Sequence, residues 1–139
     1  MEWICEHHQI TDDMIKNLEK DLNINFPDDF LSIIKKYDGG YPKPNNITVG
    51  GQEEVLNNIV SFIADNQSYI VSIYNDTEGF GKSGLIPVAE DPFGNLFCYK
   101  ITDGIYSIVF WNHENAESTK FVCNTFTELL QMAHEYREE

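Results

Sequence analysis

The sequence predicts an α+β fold: a curved, mainly antiparallel sheet with helices from both ends of the chain packed against it. Three observations carry that prediction. Residues 84–114, GLIPVAEDPFGNLFCYKITDGIYSIVFWNHE, read as three short strands and two turns. Two stretches near the start repeat apolar residues at helical spacing, and residues 125–133 do so near the end.

The first helix should begin at Thr11, whose hydroxyl can cap it. Asp12 and Asp13 complement the positive end of the dipole, Ile10 can staple against Ile15, and Ile15, Leu18 and Leu22 share one face. A second helix opens near Pro27, where a first-turn N–H has no intrahelical partner to lose. Phe30, Leu31, Ile33, Ile34 and Tyr37 form its stripe, Lys35 and Lys36 suit its negative end, and Gly39 stops it.

After a loop holding Pro42 and Pro44, residues 47–49 form a short strand and Gly50-Gly51 a turn. Residues 55–64 alternate imperfectly and are assigned mostly to strand. Residues 68–75 are ambiguous: Ile70, Ile73 and Tyr74 fit a helix face, while the β-branched content fits a strand. A flexible loop, 78–84, feeds the central sheet.

That sheet begins with the apolar run 85–89. Asp91-Pro92-Phe93-Gly94-Asn95 reverses the chain, since Pro92 presets φ and Gly94 tolerates φ > 0. Residues 96–101 return, Thr102-Asp103-Gly104 turns again, and 105–111 make the third strand. Thr125 and Glu128 are spaced as a capping box for a last helix that buries Phe126, Leu129, Leu130 and Ala133, with 136–139 fraying. With no repeat, low-complexity tract or linker, 1–139 reads as one domain.

The chain has 139 residues, enough for one real core, and a formal net charge of −14, with 23 acidic against 9 basic residues. That excess disfavours nucleic acid, whose phosphates need a basic footprint. It suits solubility or a basic protein partner. No apolar run could span a bilayer, and MEWICEHHQITDD is unlike a signal peptide, so a cytoplasmic location and no membrane partner are expected. Cys5, Cys98 and Cys123 are odd in number and scattered, which argues against a disulfide framework.

Each chemical motif has a structural explanation that outweighs it. Gly79-Phe80-Gly81-Lys82-Ser83-Gly84 lacks the phosphate-loop spacing and precedes a strand. Cys5, His7 and His8, or His113, His134, Cys98 and Cys123, lack the paired spacing of a structural zinc site. A thiol of Cys98 or Cys123 paired with His113 would need an electropositive setting, whereas Cys98 lies among Phe97 and Tyr99. Glu90, Asp91 and Asp103 could form an acid/base carboxylate set, but all sit where Asp and Glu serve turns. His113 either anchors a turn with Glu114 solvated, or both belong to a binding rim. No catalytic residue, metal or cofactor is called for.

The chain resembles the SMI1/KNR4 (SUKH) domains in Gly84-Leu85-Ile86-Pro87-Val88-Ala89, the acidic turn Glu90-Asp91-Pro92-Phe93-Gly94-Asn95, and Phe110-Trp111-Asn112-His113-Glu114. Flanking elements agree: Phe26-Pro27-Asp28-Asp29-Phe30-Leu31, Tyr37-Asp38-Gly39-Gly40 and Asn124-Thr125-Phe126-Thr127-Glu128-Leu129-Leu130. The resemblance runs in order from about Met14 onward and turns residues 68–75 towards a helix. It implies the SUKH-like α+β fold and, by analogy with bacterial members, a cytoplasmic immunity protein. Such a protein binds a cognate polymorphic toxin, often a nuclease, and occludes it without chemistry of its own. Acidity fits a nuclease target, because carboxylates can imitate phosphates. The candidate contacts are Asp76, Glu78, Glu90, Asp91, Asp103, Glu114 and Glu117. Two rivals stand beside this: a scaffold in cell-wall or signalling assembly, as eukaryotic relatives suggest, and a carboxylate hydrolase. Nothing in the pattern selects an oligomeric state.

Overall fold

The structure, a computed structural model, describes residues 1–76, 84–115 and 118–136, with the side chain of Asp76 outside that set. The expected loop at 78–84 falls outside it except for Gly84, and so do Glu78, Glu117 and the last three residues of the expected frayed end. In chain order the elements are β1 (Glu2–Ile4), α1 (Asp12–Leu22), α2 (Asp28–Tyr37), β2 (Tyr41–Lys43), β3 (Asn46–Val49), β4 (Gln52–Val55) and β5 (Asn58–Ile59). Then follow α3 (Ile70–Asp76), β6 (Leu85–Glu90), β7 (Leu96–Thr102), β8 (Ile105–Trp111), a 3-10 turn (His113–Asn115), β9 (Thr119–Cys123) and α4 (Phe126–Gln131). The arrangement is α+β, as the periodicities require. A five-stranded antiparallel sheet, β5-β6-β7-β8-β9, is joined by the pairs β1-β2 and β3-β4.

The helix starts follow their local chemistry. Thr11 Oγ1 accepts from the Met14 N–H at 3.2 Å, and Asn23 closes α1 in the left-handed conformation (φ 53°). Pro27 precedes α2 without capping it through a side chain; Asp29 supplies the acceptor instead, its Oδ1 taking the Phe30 N–H at 2.9 Å. Its Oδ2 reaches across to the Thr127 N–H and hydroxyl, both at 2.9 Å, so one carboxylate ties the starts of α2 and α4 together. At α4, Thr125 Oγ1 accepts from the Glu128 N–H and donates to Glu128 Oε1, both at 3.1 Å.

Strand alternation places the core. Ile86, Val88, Phe97, Tyr99, Ile108 and Phe110 face Ile15, Leu18 and Leu22 of α1, Phe30 and Ile34 of α2, and Phe126 and Leu129 of α4. The other face carries Leu85, Leu96, Cys98, Val109 and Trp111 under Ile73 and Tyr74 of α3. Covering on both sides explains why β6 to β8 read as near-continuous apolar runs. The β7–β8 hairpin closes with Asp103 (φ 51°) and Gly104 (φ 78°) between the paired Thr102 and Ile105. Both are left-handed, the geometry that an Asp-Gly turn provides.

Two expectations need correction. Residues 55–64 are not mostly strand: β4 ends at Val55, β5 spans only Asn58–Ile59, and the chain leaves the sheet after Val60, whose N–H still bonds the Val88 carbonyl. The cause is Asp38, whose carboxylate takes the Phe62 N–H and the Ser61 hydroxyl, so these groups are satisfied away from a ladder. The segment around Pro42 is likewise no plain loop, because β2 pairs with β1. The ambiguous segment 68–75 is helical from Ile70, as the family resemblance suggested.

Candidate functional site

The β6–β7 turn is built by Asp91. Its Oδ1 accepts from the Phe93 N–H (2.8 Å) and the Asn95 N–H (2.7 Å), and its Oδ2 from the Asn95 side-chain amide (2.7 Å). Asn95 Oδ1 in turn accepts from the His113 N–H at 3.1 Å and lies 2.7 Å from His113 Nδ1. His113 thus anchors the turn by hydrogen bonding, while Glu114 is exposed on the 3-10 turn beside it. Glu90 accepts from the Asn58 amide at 2.9 Å, pinning β5 to β6.

Of the candidate contacts, Glu90, Asp91 and Glu114 gather at this end of the sheet. Asp103 sits at the other end of β7, a seven-residue strand and so about 20 Å away at ~3.3 Å per residue. A joint acid/base role for Glu90, Asp91 and Asp103 is therefore excluded by distance. Asp76 closes α3, and the positions of Glu78 and Glu117 lie outside the described residues.

Reasoning from sequence missed Glu54, which joins the Asp91 end from β4. Burial first, and then the charge of Asp91, push its carboxyl up from the ordinary range, against the opposing pull of Lys120. Next to it is a small recess of about 150 Å³ lined by Gln52, Glu54, Phe110, Asn112 and Lys120. Glu53 lies 3.2 Å from His134, which the C-terminal segment brings in through a backbone bridge to Asn46. This end of the sheet thus sets Glu54 in the field of Asp91, with Lys120 beside it as a counter-charge.

A second polar cluster was also missed. Asp38, 2% exposed, accepts from the Phe62 N–H and the Ser61 hydroxyl at 2.6 Å each and lies 3.1 Å from His8 Nδ1. That hydrogen bond raises the His8 proton affinity above the ordinary imidazole value, desolvation opposes it, and Glu6 at 3.5 Å assists. The arrangement clamps the 61–63 segment and the N-terminal segment to the end of α2. A signal existed: an acid in the unfavourable field of a helix C-terminus needs a reason to be there.

The two buried thiols, Cys98 and Cys123, are not poised for chemistry. Burial pushes Cys98 well up, and burial together with Glu128 raises Cys123 to about 12; Cys5 is exposed. Among the described residues no group of three or more His, Cys, Asp or Glu is placed to hold a metal ion, and no helix is long and apolar enough to cross a membrane.

The family model described as SMI1-KNR4 cell-wall matches residues 12–130, from the first residue of α1 to within α4. The chain is also 25% identical over 142 residues to the SPbeta prophage-derived uncharacterized protein YokK of Bacillus subtilis (strain 168). That alignment covers 86% of this chain and 72% of the relative.

Proposed function

The chain belongs to the SMI1-KNR4 family, and from that premise we propose that it is an immunity protein: a cytoplasmic antitoxin that binds a cognate toxin and neutralises it by occlusion. The target is a basic protein, a nuclease domain being the best fit to a net charge of −14. The supporting observation is the rim at the end of the sheet. There partial burial and then the charge of Asp91 raise the Glu54 proton affinity against the pull of Lys120, so a further cation brought by a partner would favour its charged form. Glu90 and Glu114 extend the acidic surface proposed for the toxin, and Asp76, Glu78 and Glu117 are proposed with them from the sequence alone. The protein contributes shape and charge, with no bond made or broken.

Co-expression with the toxin encoded beside it should rescue growth; failure to rescue would count directly against this function. Electrostatic steering predicts that the association rate drops steeply as salt is raised from ~10 mM to ~150 mM, where the Debye length shortens from ~30 to ~8 Å. A salt-independent rate would remove steering while leaving binding. The family's description as cell-wall favours a second reading, a non-enzymatic scaffold in cell-wall or signalling assembly. The absence of any toxin-encoding neighbour would support that one.

A further inference from the structure

We propose that residues 2–10 and 132–136 are covers over the edge strands β2 and β3, each fastened by a histidine that must carry both ring protons, so that the two edges are closed in mild acid and open as pH rises. Both covers lie outside residues 12–130, the part that the family model matches. The proposal stands apart from the toxin reading.

Each cover supplies backbone partners to an edge. Residues 2–4, as β1, pair antiparallel with β2. The segment leading into β2 is tied to the main sheet, because the Gly39 N–H donates to the Val60 carbonyl (3.1 Å) and the Ile59 N–H to the Gly40 carbonyl (2.9 Å). β1 therefore closes that side of the sheet. At β3, the Asn46 N–H donates to the His134 carbonyl at 3.0 Å and the His134 N–H to the Asn46 carbonyl at 2.9 Å. A lifted cover would leave these groups unpaired, the condition in which a sheet edge recruits another chain.

His134 fastens the second cover. Its side chain is 15% exposed, and both ring nitrogens face acceptors. Nδ1 lies 2.7 Å from the Glu135 carbonyl; Nε2 lies 3.2 Å from Glu53 Oε2 on β4 and 3.0 Å from Thr48 Oγ1 on β3. Thr48 has one hydroxyl proton and gives it to Glu53 Oε1, so it has none for the ring. Both nitrogens must then donate, which only the imidazolium form can do. Loss of the Nε2 proton would turn a lone pair towards the carboxylate and replace attraction with repulsion.

His8 fastens the first cover. Its Nδ1 lies 3.1 Å from Oδ2 of Asp38, whose side chain is fully buried at the end of α2, and its Nε2 lies 3.5 Å from Glu6 Oε2 on the cover itself. The other titratable groups around this ring are Cys5 and Tyr41, which share its cleft of about 230 Å³. Asp38, against desolvation and with help from Glu6, raises the proton affinity of His8. Its charge is therefore present below the folded value and lost as pH rises through it. Apart from this ion pair, the first cover is held by a three-residue ladder and by the Trp3–Tyr37 stack (centroids 4.8 Å, 5°). Elements with so few contacts open locally, without global unfolding.

The test is amide hydrogen exchange of the full chain by NMR at about pH 6 and about pH 8, either side of the imidazole range, with each amide's intrinsic rate divided out. Pro42 has no N–H, so the bonded amides beside the Trp3–Pro42 pair are those of Ile4 and Lys43. These report on the first cover, and Asn46 and His134 on the second. Protection is expected to fall about fivefold or more at all four between the two conditions, and to stay level at Phe97 and Cys98 in the core. His8→Gln should flatten the response at Ile4 and Lys43 alone. His134→Gln, or the isosteric Glu53→Gln should the former not fold, should flatten it at Asn46 alone. Level protection in the unaltered chain at either pair overturns the cover at that segment. An equal fall at Phe97 and Cys98, or a response that survives the glutamine variant of its own histidine, overturns the proposal as a whole.

Discussion

Replacing Asp38 with alanine removes three acceptor contacts from a residue that is 2% exposed. The Phe62 N–H and the Ser61 hydroxyl each lose a 2.6 Å bond and stay buried, whereas the His8 side chain is 21% exposed and can turn to water. Ser61 keeps part of its network, because its oxygen still accepts from the Ile63 N–H at 3.0 Å. An orphaned buried donor costs about 1–3 kcal/mol, so the substitution should destabilise the protein by roughly 2–5 kcal/mol. That is a large share of the ~5–15 kcal/mol available to a domain. At ~2–4 °C per kcal/mol the melting temperature should fall by about 10 °C. Urea unfolding followed by circular dichroism measures it: the midpoint should drop with the slope unchanged. Asp38→Asn should cost less, since its amide oxygen can still accept one of the two bonds. A loss below ~1 kcal/mol for Asp38→Ala would refute the clamp, because two buried donors cannot be orphaned that cheaply.

Because His8 has a raised proton affinity in the folded chain, its contribution to stability is full below its unfolded value of 6.5 and is lost as pH rises through the higher folded value. His8→Gln should flatten the stability profile in that window, and an unchanged slope would remove the assignment. Among the three thiols, native Cys5 should react rapidly with a disulfide reagent, while Cys98 and Cys123 wait for unfolding; fast labelling of all three would contradict their burial. Gly40→Ala would put a methyl 2.7 Å from the Tyr37 carbonyl oxygen and 3.1 Å from Cys5 Cβ. Strain of that kind costs ~1–3 kcal/mol, and the Trp3–Tyr37 stack should weaken with it, visible in near-ultraviolet circular dichroism. Phe30→Ala, at a fully buried ring touching Phe26, Phe62, Tyr99 and Phe126, should cost ~3–5 kcal/mol in the same urea assay.

The helix starts and the central hairpins were legible because their causes are local. Thr11, Thr125 and the Asp103-Gly104 pair act on backbone within four residues of themselves, so spacing alone reveals them. Residues 55–64 were misread because their partner, Asp38, lies more than twenty residues upstream and no window contains both. The Gly39-Gly40 pair was half understood: Gly39 takes a left-handed φ of 68°, as a helix stop would, but Gly40 is needed for close approach to Tyr37 and the N-terminal segment. The candidate acids were found by type and not by place. Glu90, Asp91 and Glu114 do share one end, yet Glu54 joins them from β4, and Asp103 stands about 20 Å off at ~3.3 Å per residue of β7.

By itself the amino-acid order determined the α+β class, the two amphipathic N-terminal helices, the three central strands and the acidity of the surface. Each depends on periodicity, capping or summed charge, which near neighbours set. Only tertiary structure decided which carboxylates meet, which histidine meets a buried aspartate, and that the Tyr99 hydroxyl has no partner among the described residues. Those outcomes depend on distances between elements remote in the chain, which appear only once the sheet closes its register and the helices dock on it.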